Sequence, residues 1–392
     1  MIDVERARRE TPGCEHVIHL NNAGSALPPR VVHDAVVGHL ELEAQRGGYE
    51  AHEQNEEAIE RVYGAAAELL GCQEDEVAFC SSATRAWDMA FYGFPFERGD
   101  KILTAVAEYA SNFISYLQVA RQKGLEVIPV PSDEHGQVSV DELASLVDQR
   151  VKLIAITHVP TNGGLVNPAA EIGAIAKAEE IPYLLDACQS AGQMPLDVDD
   201  LGCDMLSLTG RKYLRGPRGT GLLYVRSAML ERLEPPFLDM RAADWVEPDR
   251  YRLRADAKRF EEWEQNYAAK VGLGVAIDYA LGWGIDEIWA RVHWLGESLR
   301  SRLVEIAGVT VRDLGGTRCG IVTFDVAGTN AGQLKEALAR ERINVPVSPQ
   351  SSTLLDTRER DLPELVRASV HYYNTEEELD LLADCVRIAA RC

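Results

Sequence analysis

From residue 76 to residue 187, short unbroken apolar runs alternate with longer segments of helical periodicity. "EVAFC" leads into "SSATRAWDMAFYGF", "KILTAV" into "NFISYLQVARQKG", "EVIPV" into "VDELASLV", and "VKLIAITHV" into "AAEIGAIAKAEE" before "IPYLLDA". A strand with one wet face alternates apolar and polar residues; these runs do not alternate, so both their faces must be covered. The intervening helices supply that cover, and also the crossovers that parallel neighbours need. The order therefore predicts an α/β fold, a large unit with a mainly parallel sheet and helices on both sides. Ahead of it, residues 30–70 read as helix broken at "RGGYEAHE". After residue 285, "LGESLRSRLVEIAG", "GIVTFDVAG", "NAGQLKEALARERI", "LVRASVHYY" and "EEELDLLADCVRIAA" predict a smaller α+β unit. The expected organisation is an N-terminal segment (1–20) packed on the small unit, a large unit (21–284) and a small C-terminal unit (285–392).

Ligands of an open parallel sheet bind at the carboxyl ends of its strands, and three of these ends carry polar groups. "IPYLLDACQ" ends a buried strand in Asp186, followed by Gln189; such an acid needs a cation or hydrogen-bond donors around it, or else serves as a helix N-cap. "CSSATRAW" is a strand-to-helix turn with small hydroxyl residues, suited to a phosphate or merely a capped helix. "SLTGRKYLRGPRGTG" sets Lys212 beside Thr209 and Arg211. Alone, that lysine reads as a solvated side chain on a basic turn. The chain as a whole has a formal net charge of −22, which opposes nucleic acids and anionic membranes as partners. Against it, the cationic stretch from Arg211 to Arg218 is suited to a small anion.

No apolar run approaches the roughly 18 residues of a membrane span, and the charged start lacks the apolar core of a signal peptide. Eight cysteines are scattered without metal-type spacing, so a reduced, cytoplasmic protein with no metal site is expected. Taken together, a strand-end acid, a phosphate-type turn upstream and a lysine 26 residues past the acid match what pyridoxal 5'-phosphate requires. Its aldehyde needs an amine, its pyridine nitrogen a carboxylate, and its phosphate backbone donors and a cation.

With "HLNNAGSALPP", "EVAFCSSATRAWDMA", "AEYASN", "ITHVPTNGGLVNP", "LLDACQSAG", "GRKYLRGPRGTG" and "VRASVHYYNTEEELD" in this order, the chain resembles the class V aminotransferase-like enzymes of fold-type I. That family includes cysteine desulfurases and isopenicillin N epimerase. The resemblance implies Lys212 as the Schiff-base lysine, Asp186 as partner of the pyridine nitrogen and Gln189 as donor to the ring hydroxyl. It implies Ala83, Thr84, Thr209 and Arg211 as the phosphate cradle, and Tyr109 as the ring stacked on the cofactor. Thr161 or Asn162 faces the cofactor. Arg367 clamps the substrate carboxylate, whose bidentate demand suits arginine, and Asn22, Ala23 and Gly24 lie on the same side. It also implies a homodimer with sites at the interface. There "KRFEEWEQN" places Glu264 where relatives have a small hydroxyl residue, free to pair with Arg211 or to face the substrate.

The reaction is narrowed by a departure. Desulfurases keep a mobile cysteine in the small unit; the corresponding "INVPVSPQSSTLLD" has serines instead. The motifs "RGGYEAHE", "EYASN" and "GRKYLRGPRGTG" are most similar to the branch of C–S lyases of thiol and antibiotic metabolism, including ergothioneine-type sulfoxide lyases and lincosamide-pathway enzymes acting on cysteine conjugates. The resemblance thus implies β-elimination from an S-substituted cysteine or its sulfoxide, giving pyruvate and ammonia, with Lys212 as base, Asp186 holding charge and Tyr109 protonating the sulfur. Decarboxylation of such a conjugate, including oxidative forms, is the alternative, followed by transamination or epimerisation; a non-catalytic scaffold is the bland reading. Arg241, Trp245, Tyr49 and Trp263 are candidate substrate-facing residues, and Cys188 reads as a small buried hydrophobe.

Overall fold

The computed structural model describes residues 1–391. Its main sheet has seven strands: β1 (Val77–Cys80), β2 (Lys101–Ala105), β3 (Glu126–Val130), β4 (Val151–Thr157), β5 (Tyr183–Asp186), β6 (Met205–Thr209) and β7 (Gly221–Val225). They lie in the order β1-β7-β6-β5-β4-β2-β3. Strand β7 runs antiparallel to both neighbours, β1 and β6, and the remaining pairings are parallel. Six strands therefore point one way, and the carboxyl ends of β1, β2, β4, β5 and β6 open on the edge where β7 begins.

The unbroken apolar runs have the expected cause. In β4, Leu153 and Ala155 pack on one side with Trp87, Phe91 and Tyr116, while Ile154 and Ile156 join the larger core on the other. Helices α1 (Ala83–Tyr92) and α2 (Ala110–Lys123) follow β1 and β2. A second sheet takes Val309–Val311, Ile321–Val326, Leu365–Ser369 and Val347–Ser348, all antiparallel in that order. Near the N-terminus, Ile18–His19 pairs in parallel with Ile343–Asn344, beside this second sheet.

The helical region is broken at "RGGYEAHE", as expected. Gly47, at φ +100°, makes a single turn between the helices Arg30–Arg46 and Gly48–Gln54, and Glu56–Leu70 follows. Gly284, at φ +82°, separates Tyr267–Trp283 from Ile285–Val304, at the position where the sequence changes texture. Among the described residues no helix is long and apolar enough to cross a membrane, and no cluster of three or more histidine, cysteine or carboxylate side chains is placed to hold a metal.

Candidate active site at the carboxyl edge of the sheet

A cleft opens at this edge, lined by residues that follow β1, β2, β4, β5 and β6. After β1, Ser82 caps α1, its hydroxyl accepting from the Arg85 amide at 3.1 Å. The amides of Ala83 and Thr84, which have no carbonyl within the helix to receive them, sit at the cleft with the positive end of the helix dipole. The turn is seated against the start of β7. A Cβ on Gly221 would lie 2.5 Å from the Ala83 nitrogen and from the Ser82 carbonyl carbon. Both are backbone atoms and cannot move aside. Gly221→Ala is therefore expected to cost about 3 kcal/mol and to displace the anion-binding amides; thermal unfolding and protection by added inorganic phosphate both read this out. Unchanged stability with unchanged phosphate protection would mean that the turn has slack.

Asp186 ends β5, 5% exposed. Its Oδ1 accepts from the Cys188 amide at 2.9 Å, so it does cap the following turn. Its Oδ2 accepts from Asn112 Nδ2 at 2.9 Å. The same Asn112 nitrogen donates to Glu108 Oε1 at 2.9 Å. Glu108 is buried under the cleft, and burial pushes its carboxyl up to about 7, with the Asp186 charge adding to the effect of burial and hydrogen bonds from Thr157 and Asn112 opposing it. Neither Glu108 nor Asn112 was singled out by the sequence; "AEYASN" carried the signal, since an acid and an amide four residues apart share one face of a helix start.

Lys212 follows β6. Its amine has no hydrogen-bond or ion-pair partner among the described residues, and burial pushes its pKa down, aided by Arg211 and Arg367 and opposed by Cys188 and Asp186. The turn that carries it closes on the turn after β5 at Gly192, φ +88°, where a Cβ would sit 2.5 Å from the Tyr213 carbonyl carbon. The Arg215 amide donates back to the Lys212 carbonyl at 2.9 Å. Arg215 is itself fully buried, at φ +61°, and pairs with no carboxylate among the described residues. Its guanidinium donates to the Leu27 carbonyl at 2.8 Å, to the Tyr372 hydroxyl at 2.6 Å and to Thr11, and lies 4.7 Å from the centre of the Tyr373 ring.

Arg367 reaches the cleft from the second sheet. It donates to the Thr161 carbonyl and hydroxyl, both at 2.9 Å, and its Nε is buried without a partner. Burial pushes it down to about 10. Gln189 donates to the Ala23 carbonyl at 3.2 Å and to the Thr161 hydroxyl at 3.4 Å, leaving its Oε1 unpartnered. Thr161 thus faces the cleft, whereas Asn162 turns away to donate to Thr353 at 3.0 Å and the Pro349 carbonyl at 3.3 Å. Ala83, Thr84, Tyr109, Asp186, Gln189, Thr209, Arg211 and Lys212 are gathered around the same space. The Arg211 guanidinium bonds the Gly24 carbonyl.

Several expected contacts are absent. The Asn22 amide is spent on the His19 and Ser369 carbonyls and the Tyr373 hydroxyl, so Asn21, 3.5 Å from Arg367, is the asparagine near the carboxylate clamp. Within the chain, Glu264 is exposed in a separate recess beside Arg85. Arg241 is committed to the buried Glu261 at 2.8 Å and the Tyr63 hydroxyl at 3.3 Å. Tyr49, Trp245 and Trp263 are exposed and do not line the cleft. Cys188 does line it, half-buried, and burial with the Asp186 charge keeps its thiol protonated.

The profile of the aminotransferase class-V family matches residues 18–382. The chain belongs to this family. A probable cysteine desulfurase of Methanothermobacter thermautotrophicus is 30% identical over 390 residues, covering 97% of this class V chain and 96% of the relative. The apo structure of cysteine desulfurase from Thermococcus onnurineus superposes with a TM-score of 0.93 at 27% identity, covering 100% of this chain and 99% of that one. A cystine C–S lyase solved with cysteine persulfide shares the fold, with a TM-score of 0.86 at 24% identity over 96% of this chain and 99% of that one. These likenesses agree with the α/β, fold-type I architecture expected of a class V enzyme.

Proposed function

We propose that this class V enzyme uses pyridoxal 5'-phosphate to cleave the Cβ–S bond of an S-substituted cysteine or its sulfoxide. The residues of the cleft fit that cofactor. A turn whose amides face the cleft is kept free of side-chain bulk by Gly221, a half-buried, desolvated amine stands at Lys212 without a partner among the described residues, and a buried carboxylate lies at Asp186. When bound, the cofactor supplies the electron sink that such eliminations need. Lys212 is the amine for its aldehyde, Ala83 and Thr84 with Thr209 and Arg211 hold its phosphate, Asp186 its pyridine nitrogen, and Tyr109 flanks it.

Arg367 holds the substrate carboxylate; with Nε unspent and no acid nearby, it can take one without displacing an internal ion pair. The Lys212 amine, deprotonated more readily in its desolvated position, removes the Cα proton. The Tyr109 hydroxyl stands free to protonate the departing sulfur. The balance is R–S–CH2–CH(NH3⁺)–COO⁻ plus water to R–SH, pyruvate and ammonium; a sulfoxide releases the sulfenic acid instead.

The observation that carries the lyase reading is the loop from Ile343 to Glu359. It has no cysteine to receive sulfur, and Asn162 ties it to the large sheet through Thr353 and Pro349. We infer a homodimer from the exposed apolar residues Phe237, Met240, Trp245 and Trp263 that follow β7. The deciding assay gives cofactor-loaded enzyme a panel of S-alkyl cysteines, their sulfoxides and free cysteine, following pyruvate, thiol and carbon dioxide together. Thiol and pyruvate in equal amounts are expected, without carbon dioxide. Carbon dioxide without pyruvate would replace elimination by decarboxylation, and activity on free cysteine alone would return the chain to the desulfurases.

A further inference from the structure

Glu108 lies outside the set of residues that the proposed chemistry uses, yet it is the most heavily coordinated carboxylate beneath the cleft. It accepts from the Tyr109 amide at 2.9 Å, the Thr157 amide at 3.1 Å, the Thr104 hydroxyl at 3.1 Å, Asn112 Nδ2 at 2.9 Å and the Thr157 hydroxyl. Two of those donors are backbone amides from different elements, so its place is fixed by the sheet edge itself. The Asn112 amide spends one proton on Glu108 and the other on Asp186, which makes it a bridge between two buried carboxylates. The other titratable groups facing Glu108 are Asp186 and Tyr183 on β5 and Tyr116 on α2. None is a cation, and no lysine or arginine forms an ion pair with Glu108 among the described residues. Lys212 bears on Asp186 but not on Glu108, and two neighbouring buried acids do not both ionise freely; Glu108, the one without a cation, shares its charge with a proton.

We propose that Glu108 is a positioning residue for Asp186, acting through Asn112, and that the two acids form a pair which gives up a proton from Glu108 to solvent when a cation docks at Asp186. The inference rests on the reading of Asp186 as partner of the pyridinium nitrogen. Before docking, the pair carries between one and two negative charges near neutrality, because the Glu108 carboxyl is pushed up to about 7. A positive charge against Asp186 favours the doubly ionised state, in which the donors around Glu108 face a full carboxylate charge. The second charge in turn strengthens the hold on the cation. This coupling is reciprocal, so it must appear both in cofactor affinity and in proton exchange.

Calorimetric titration of pyridoxal phosphate into apo-enzyme, in buffers of different ionisation enthalpy near pH 7, counts the protons exchanged on binding. Wild type is expected to release more protons per site than Glu108→Gln, by a measurable fraction of one, and to bind about tenfold more tightly. Asn112→Ala, which keeps the acid but cuts the bridge, is expected to weaken binding similarly, and the double variant no further than either single one. Circular dichroism on each apo-protein identifies a variant that fails to fold, and Asn112→Ala then carries the test alone. An unchanged proton count in Glu108→Gln, or additive losses in the double variant, overturns the proposal and leaves the cofactor reading intact. If wild type shows no saturable binding and no borohydride-fixed adduct at Lys212, the cofactor reading itself fails and the pair loses its purpose with it.

Discussion

Lys212→Ala abolishes turnover, by about 10⁴-fold or more. Two roles fall on one amine in the proposed chemistry: it meets the cofactor aldehyde, and it moves the Cα proton. No other lysine lines the cleft to take over either role. The variant should nevertheless fold, because the amine makes no hydrogen bond or ion pair and its burial costs free energy that alanine does not. Steady-state assays on the substrate panel, together with borohydride reduction and peptide mapping, test this. Loss of turnover with an intact melting temperature, and with no fixed cofactor, is the expected pattern. A variant that turns over at the wild-type rate would remove Lys212 from the mechanism.

Asp186→Asn is expected to lower turnover by about 10²–10³-fold, and here two roles separate cleanly. Asparagine caps a turn as well as aspartate does, so if Asp186 served only to hold the Cys188 amide, the substitution would be nearly silent. If its charge faces a pyridinium nitrogen, a neutral amide cannot replace it. The new NH2 group also meets Asn112 Nδ2 or the Cys188 amide, donor against donor, at a cost of about 1–3 kcal/mol. The expected result is therefore a modest drop in melting temperature with a far larger loss of turnover. A rate within tenfold of wild type would return Asp186 to a structural cap.

The strands were legible because a both-faces-buried strand leaves an apolar run of the right length, and β1 to β5 fall within such runs. "MLSLT" (β6) and the exposed hairpin of Ala243–Glu247 with Arg250–Leu253 were not marked out, the first being interrupted by Ser207 and the second carrying its apolar residues outward. At the site, the residues next to strand ends could be read from the chain because the fold itself delivers them to one edge. What could not be read was how each amide spends its donors. Asn22 and Asn21 are indistinguishable as letters, as are Thr161 and Asn162 as neighbours; only the competing carbonyls of His19, Ser369 and Pro349 decide which side chain is left for the cleft. Glu108 was passed over for the same reason, since its importance lies in donors contributed by Thr104, Asn112 and Thr157, up to 49 residues away.

Arg215 ties the lysine turn to distant parts of the chain. Its guanidinium is satisfied by Thr11 and Leu27 from one side of the chain and by Tyr372, more than 150 residues beyond it, from the other. The arginine three residues past Lys212 pairs with no acid among the described residues and relies on the Tyr372 hydroxyl and the Tyr373 ring for shelter. The lysine turn is therefore coupled, through Arg215, to the segment that carries Tyr372 and Tyr373. The shelter of the cation beside Lys212 thus depends on groups from Thr11, Leu27 and Tyr372, segments far apart in the chain.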